Sequence, residues 1–215
     1  MKITQMISNN KHHYSGYNPC NYITIHETAN ANKGATALTH GRYMNNGSTE
    51  TWHYTVDENT IVQHFNPRVQ CWHCGDGRGK GNTSSIGIEL CVNSGGDFKK
   101  TVDNAVWLIK KLMKDYNIKE SNVVQHNKWS GKNCPTNLRN GSKGVTWVYL
   151  KSQLNPVKTN VSNVKTKVNN NIATMKLDDL VTNTLLGKYG NGNERKNILG
   201  SRYNEVQKRI NAYMK

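Results

Sequence analysis

The sequence predicts a mixed α/β domain, a twisted sheet flanked by helices, followed by a small all-α module of three helices. Three observations carry this. Residues 1–155 interleave stretches of period two with stretches of helical period. Composition breaks at Asn155-Pro156, and beyond Met175 only helical periodicity returns.

Taken in chain order, Tyr22-Ile23-Thr24-Ile25-His26 puts isoleucine on one face and Tyr, Thr and His on the other, the pattern of a half-buried strand. Gly34 to Asn46 reads as a helix that stops at Asn45-Asn46-Gly47. Trp52 to Val56 and Thr60 to His64 form a hairpin around Asp57-Glu58-Asn59. Ser85 to Val92 is a further strand. Thr101 to Tyr116 is the clearest helix, with Val102, Ala105, Val106, Ile109, Leu112, Met113 and Tyr116 on one stripe.

Residues 156–175 are Lys, Asn, Val, Thr and Ser for the most part, with no acidic and no aromatic side chain. Without an amphipathic period they read as a solvated linker, the alternative being a surface strand or helix. In residues 176–215, Leu177, Leu180, Val181 and Leu185 mark one helix, stopped by Gly187. Glu194 to Leu199 marks a second, and Ser201 caps a third bearing Tyr203, Val206, Ile210 and Tyr213. A bundle this short is at the lower limit for folding alone, and the chain holds a single copy of it.

Of 215 residues, 29 are Lys or Arg and 14 Asp or Glu, a net charge of +15. Residues 1–155 hold 18 basic and 10 acidic groups; residues 156–215 hold 11 and 4 on well under half the length. Such a balance implies a polyanionic partner: nucleic acid, anionic lipid or an anionic cell wall. No arginine-rich helix or zinc-finger spacing supports nucleic acid. No stretch approaches the roughly 18 apolar residues that span a bilayer, so no membrane insertion is expected. Met1 to Asn10 lacks the continuous apolar core of a signal peptide. Five cysteines, an odd number, argue for thiol or metal roles over a disulfide framework.

The chemistry-bearing residues are dispersed. His26 ends its strand opposite the isoleucine face, where an isolated histidine is more often a hydrogen-bonded structural residue than a ligand. His126 ends the apolar run Val123-Val124, and Cys134-Pro135 closes the polar loop that follows. Neutral imidazole and thiolate are preferred zinc ligands, and three protein ligands leave a fourth position open. Glu89 stands in mid-strand on the face of Ser85, Gly87 and Cys91. Either it faces solvent on a one-sided sheet, or it lines a cleft as a general base with a raised pKa. Cys71-Trp72-His73-Cys74 has no second CxxC to complete a four-cysteine zinc site.

Five segments occur in one order: Tyr22 to Ala29, Thr51-Trp52-His53-Tyr54, Cys71-Trp72-His73-Cys74-Gly75-Asp76-Gly77, Asn82 to Glu89, and Gln125-His126 through Lys132-Asn133-Cys134-Pro135. Together, over about residues 1–150, they resemble the zinc-dependent type 2 N-acetylmuramoyl-L-alanine amidases of phages of Gram-positive bacteria, relatives of peptidoglycan recognition proteins. The resemblance implies the type 2 amidase fold and one Zn²⁺ held by His26, His126 and Cys134. It implies Glu89 and Lys132 as the catalytic pair, with Trp72 and His73 in the substrate groove. Trp52 stands where some relatives carry a catalytic Tyr and cannot supply that hydroxyl, so the glutamate-using variant is the match. The bond attacked would join the lactyl group of N-acetylmuramic acid to L-alanine. A peptidoglycan-binding protein of the same fold that does not cut is the alternative, as is a bacterial autolysin.

Leu185 to Lys196, with Leu199-Gly200 and Tyr203 to Gln207, resembles the three-helix cell-wall-binding repeat of some phage lysins. That resemblance implies wall contacts from Lys188, Tyr189 and Arg195, and anionic polymers of a Gram-positive wall as partner. Such modules gain from multivalency. Oligomerisation through the module, fed by a second translation start at Met175, is one way for a single copy to gain it. An endolysin of this kind would wait in the host cytoplasm until the membrane is permeabilised and then act on the wall.

Overall fold

A computed structural model of the chain describes residues 2–154, 172–185, 188–190 and 192–213. Residues 156–171 of the expected linker, and Leu186, Gly187 and Asn191 of the tail motif, lie outside the described residues. The chain divides into two compact units, Met1–Asn155 and Pro156–Lys215.

The first unit is built on a six-stranded sheet and a two-stranded one. Its strands are β1 (Ile3–Gln5), β2 (His13–Tyr17), β3 (Tyr22–Glu27), β4 (Tyr54–Val56), β5 (Ile61–Gln63), β6 (Val69–Cys71), β7 (Ser85–Leu90) and β8 (Val123–Gln125). The main sheet runs β1-β5-β4-β7-β3-β8, and β2 pairs with β6 apart from it. Only β4 and β5, the expected hairpin, are antiparallel in the main sheet. Asp57 fixes that turn: Oδ1 accepts from the N–H groups of Asn59 and Thr60, while Oδ2 accepts from Ala37 N.

The helices are α1 (Ala37–Asn45), α2 (Lys80–Ser84), α3 (Phe98–Tyr116), α4 (Asn127–Ser130), α5 (Thr136–Asn140) and α6 (Trp147–Leu154). The expected helix at 34–46 starts later because Thr36 is its N-cap, its hydroxyl accepting from Thr39 N. The expected helix at 101–116 starts earlier because Asp97 caps it through Lys100 N. Val102, Ala105, Val106, Ile109 and Leu112 of α3 pack with Ile23, Ile25, Ile86, Ile88 and Leu90 of the two central strands. That core leaves the opposite face of β3 and β7 for polar side chains. Their register sets His26 beside Glu89 and Thr24 beside Gly87.

The second unit has α7 (Leu177–Leu185), α8 (Gly192–Leu199) and α9 (Tyr203–Tyr213). Ser201 lies in a short 3-10 turn, Gly200–Arg202, that leads into α9, and so does not cap that helix directly. Ile172, Leu180, Val181, Tyr189, Leu199, Val206 and Ile210 form its core, with Met175 packed against them. Arg202 donates to the carbonyls of Ile172, Ala173 and Met175, tying this entry segment to the bundle. A module begun at Met175 would therefore lack Ile172 and two of those three acceptors. No helix among the described residues is long and apolar enough to cross a membrane.

Candidate metal centre

The carboxyl ends of adjacent parallel strands are where an open α/β sheet gathers polar side chains. His26 is the fifth residue of β3 and Glu89 the fifth of β7. His126 follows directly on β8, its N–H donating to Ile25 O. Three strands thus bring residues a hundred positions apart to one place. One ligand atom each from His26, His126 and Cys134 lies within 4.8 Å of the others, and all three residues are buried.

The two imidazoles meet at Nδ1, 2.9 Å apart. His126 Nε2 lies 2.8 Å from the Cys74 carbonyl and 3.0 Å from Ser130 Oγ. A carbonyl only accepts, so this nitrogen carries the proton and Nδ1 presents a lone pair. His26 Nε2 faces His73 Nδ1 at 2.9 Å. Burial holds the His26 and His126 imidazoles below their usual range, assisted for His26 by neighbouring His73 and His126. Both are therefore neutral at pH 7. Burial also pushes the Cys134 thiol up to about 12. Two neutral imidazoles with oriented far nitrogens, beside a thiol that needs a cation to ionise, are the donor set of a zinc or similar site.

The loop before Cys134 is closed on itself. Asn127 N–H donates to the Cys134 carbonyl, Asn127 Nδ2 donates to the carbonyls of Gly131 and Lys132, and Gly131 takes φ +75° at the turn. Lys132, exposed at the rim, lines a cleft of about 470 Å³ together with His26, His126, Cys134, Glu89, Trp52 and His73. Glu89 Oε1 is 3.9 Å from His26 Nδ1, and Oε2 is buried with no hydrogen-bond partner among the described residues. Burial raises the Glu89 carboxyl to about 8, against the Lys132 charge, which lowers it. Both His26 and His126 also feel Lys132, which favours their neutral forms.

Trp52 is buried, its indole N–H turned to Thr55 Oγ1 at 2.7 Å. Trp72 does not line this cleft; it is 37 % exposed and stacks on His12 at 5.7 Å. His73 does line it, yet is only 8 % exposed and holds His26 from behind. The groove wall expected from Trp72 and His73 is thus divided between a surface ring and a positioning residue. In the second unit, Tyr189 belongs to the core, its hydroxyl against Asn183 and Met175. Its ring is not free to stack on a wall ligand. Arg195 donates to Gly190 O and Gln207, and exposed Lys188 to Asn183 Oδ1.

Several contributors were absent from the sequence expectations. Asn82 Oδ1 accepts from the N–H groups of His73 and Cys74, and Asp76 accepts from those of Gly81 and Asn82. Together they shape the loop that carries His73. His53 is fully buried, its Nδ1 accepting from Gly87 N and its Nε2 donating to Val69 O. Asn82, Asp76 and His53 all sit inside the quoted motifs, which was the available signal. Gly87 is needed for a different reason: a Cβ there would meet His73 Nδ1 at 2.7 Å. Gly87→Ala is expected to displace His73, destabilise the chain by about 1–3 kcal/mol and weaken metal uptake. Thermal unfolding with and without added zinc measures both effects, and an unchanged zinc affinity would free His73 of its positioning role.

Comparison with known proteins gives the arrangement a family. Residues 16–137 match the family described as N-acetylmuramoyl-L-alanine amidase, and residues 178–214 match the CW_7 repeat. The chain is 54 % identical over 118 residues to the N-acetylmuramoyl-L-alanine amidase XlyA of Bacillus subtilis (strain 168), covering 54 % of this chain and 40 % of XlyA. It is 54 % identical over 119 residues to CwlH of the same organism, covering 54 % of this chain and 48 % of CwlH. The chain therefore spans less than half the length of these curated relatives. The solved catalytic domain of XlyA superposes with a TM-score of 0.66 at 44 % identity, over 72 % of this chain and all of that one. With the matched segment running from β2 to α5 and covering more than half of its length, the chain belongs to the N-acetylmuramoyl-L-alanine amidase family.

Proposed function

We propose that the chain is a zinc-dependent peptidoglycan hydrolase that cleaves the amide between N-acetylmuramic acid and L-alanine, acting as a phage or prophage endolysin. The observation that carries this is the meeting of two imidazole nitrogens and a thiol at a cleft where Glu89 keeps one carboxylate oxygen unpaired. In this reading His26 and His126, each through Nδ1, and Cys134 through Sγ hold the metal. Bound zinc supplies Lewis acidity, which lowers the pKa of water toward about 7 and polarises the scissile carbonyl.

The chain's own groups do the rest. With Nδ1 of His26 on the metal, its Nε2–H donates to His73 Nδ1 and the ring cannot rotate out of line. Glu89 takes the attacking water's proton on its free oxygen and returns it to the leaving amine. Lys132 offers a cation to the oxyanion at the open side of the cleft. Buried Trp52 lines the cleft beside Glu89 and keeps that side dry.

Mass spectrometry of digested peptidoglycan tests the reaction: new L-alanine amino termini are expected, and new reducing sugar ends without them would overturn it. The second unit serves as the wall-binding tail, with basic side chains for anionic wall polymers. Truncation after residue 155 is expected to spare hydrolysis of soluble muropeptides and weaken sedimentation with purified walls at least tenfold. Undiminished wall binding by the truncated chain would remove the targeting role.

A further inference from the structure

We propose that Glu27 is the positioning residue that pins the segment carrying Cys134 to the strand carrying His26; this rests on His26, His126 and Cys134 being the metal ligands. Glu27 follows His26 at the end of β3 and is only 7 % exposed. Its Oε2 accepts from Asn137 N at 2.9 Å and from Asn137 Nδ2 at 2.7 Å; its Oε1 accepts from Leu138 N at 2.9 Å. These backbone donors belong to the first turn of α5, where N–H groups have no acceptor within the helix. Pro135, at the N-cap, has no side chain to serve them. A carboxylate from a strand 110 residues earlier does so instead.

The consequence falls on Cys134. It lies two residues before α5, joined through Pro135, with its own carbonyl held by Asn127 N–H at 3.0 Å. One side of the cysteine is thus fixed by the loop after β8, and the other by Glu27. The same residue that positions the third donor is bonded in sequence to the first, so displacement of α5 moves Sγ away from His26 Nδ1. Glu27 also lines the cleft, yet both its oxygens are committed to α5, whereas Glu89 keeps Oε2 uncommitted. Of the three acids that line the cleft, Glu27, Glu50 and Glu89, the first is thus a positioning group and the last a base. Replacing Glu27 with Gln keeps the volume but turns an NH₂ against an N–H donor, whichever way the amide lies.

The test compares Glu27→Gln with the parent chain of residues 1–215 in three measurements: zinc affinity by competition with a chromophoric chelator, the thiolate-to-cobalt charge-transfer band of the Co²⁺-loaded protein, and kcat at saturating zinc. A ten- to hundredfold loss of zinc affinity is expected, with a weakened or shifted cobalt band and kcat at saturating zinc within about threefold of the parent. Asn137→Ala, which removes the side-chain donor to Glu27 and the acceptor for Ser142 Oγ but keeps both backbone donors, should move affinity the same way by a smaller factor and covers the case in which Glu27→Gln does not fold. Unchanged zinc affinity and cobalt band in both variants, with only thermal stability lowered, would reduce Glu27 to a helix cap and overturn the proposal. A kcat at saturating zinc down more than a hundredfold with affinity intact would overturn it in the other direction, by placing Glu27 in the chemistry. Failure of the parent chain to take up zinc or cobalt would instead sink the metal-centre reading beneath it.

Discussion

Glu89→Gln is expected to lower kcat about a thousandfold, within the range for removal of a general base, while zinc stays bound in stoichiometric amount. The amide fills the same volume and can still lie 3.9 Å from His26, so the geometry of the centre has no reason to change. What disappears is the group that takes a proton. The native carboxyl sits at about 8 because burial disfavours its charge, Glu27 adds to that, and only Lys132 opposes it. Such a group is closely matched to proton transfer near neutral pH, which the ordinary carboxyl range is not. Lys132→Met removes the one opposing charge, so the acid limb of the pH–rate profile should move upward as well as kcat falling. Zinc content by atomic absorption and turnover of a soluble muropeptide measure the first variant. Unchanged turnover in Glu89→Gln would place the base elsewhere.

The long elements were legible because their periods are long. α3 shows five turns of one apolar stripe, and β3 and β7 alternate over six residues each. The strands β1, β4, β5, β6 and β8 are three residues long, too short for a period of two to be distinguished from chance, and of these the sequence shows β4 and β5, through their hairpin turn. The proposed metal ligands are legible as residue types with an order, but their convergence depends on the parallel pairing of β3 with β7 and β8, which no local pattern encodes. His73 shows the limit most plainly. The family resemblance implies a groove wall, while its position is set by Asn82 nine residues later and by the empty side of Gly87. Tyr189 shows the converse: in a unit this small, an aromatic ring within a polar motif is drawn into the core, where seven buried side chains include it.

Removal of zinc is expected to abolish wall lysis, with full recovery when Zn²⁺ is returned, and the pH dependence of rebinding should identify the groups that yield protons. The His26 and His126 imidazoles are held below their usual range, so above pH 7 they are already neutral and release nothing. The Cys134 thiol, pushed up to about 12 in the metal-free chain, is protonated throughout the working range and must ionise to ligate. That alone makes the apparent affinity rise about tenfold per pH unit. Glu89, at about 8, is mostly protonated at pH 7, and a divalent charge beside it favours the carboxylate. Below pH 7 a second proton is therefore displaced, and the slope steepens toward two; at higher pH the acidity that the metal confers on water adds a proton of its own. Calorimetric titration of the metal-free protein in buffers of different ionisation enthalpy counts these protons directly. Glu89→Gln should give a slope of one below pH 7, and Cys134→Ser should lose the tenfold-per-unit dependence along with most of the affinity. A slope of one in the native chain at pH 6.5, together with a carboxylate rather than a carboxyl infrared band for Glu89 in the metal-free protein, would mean that Glu89 is already charged before the metal arrives. The orphaned Oε2 would then belong to a carboxylate rather than a carboxyl, and the free enzyme would hold its base ready without help from the cation.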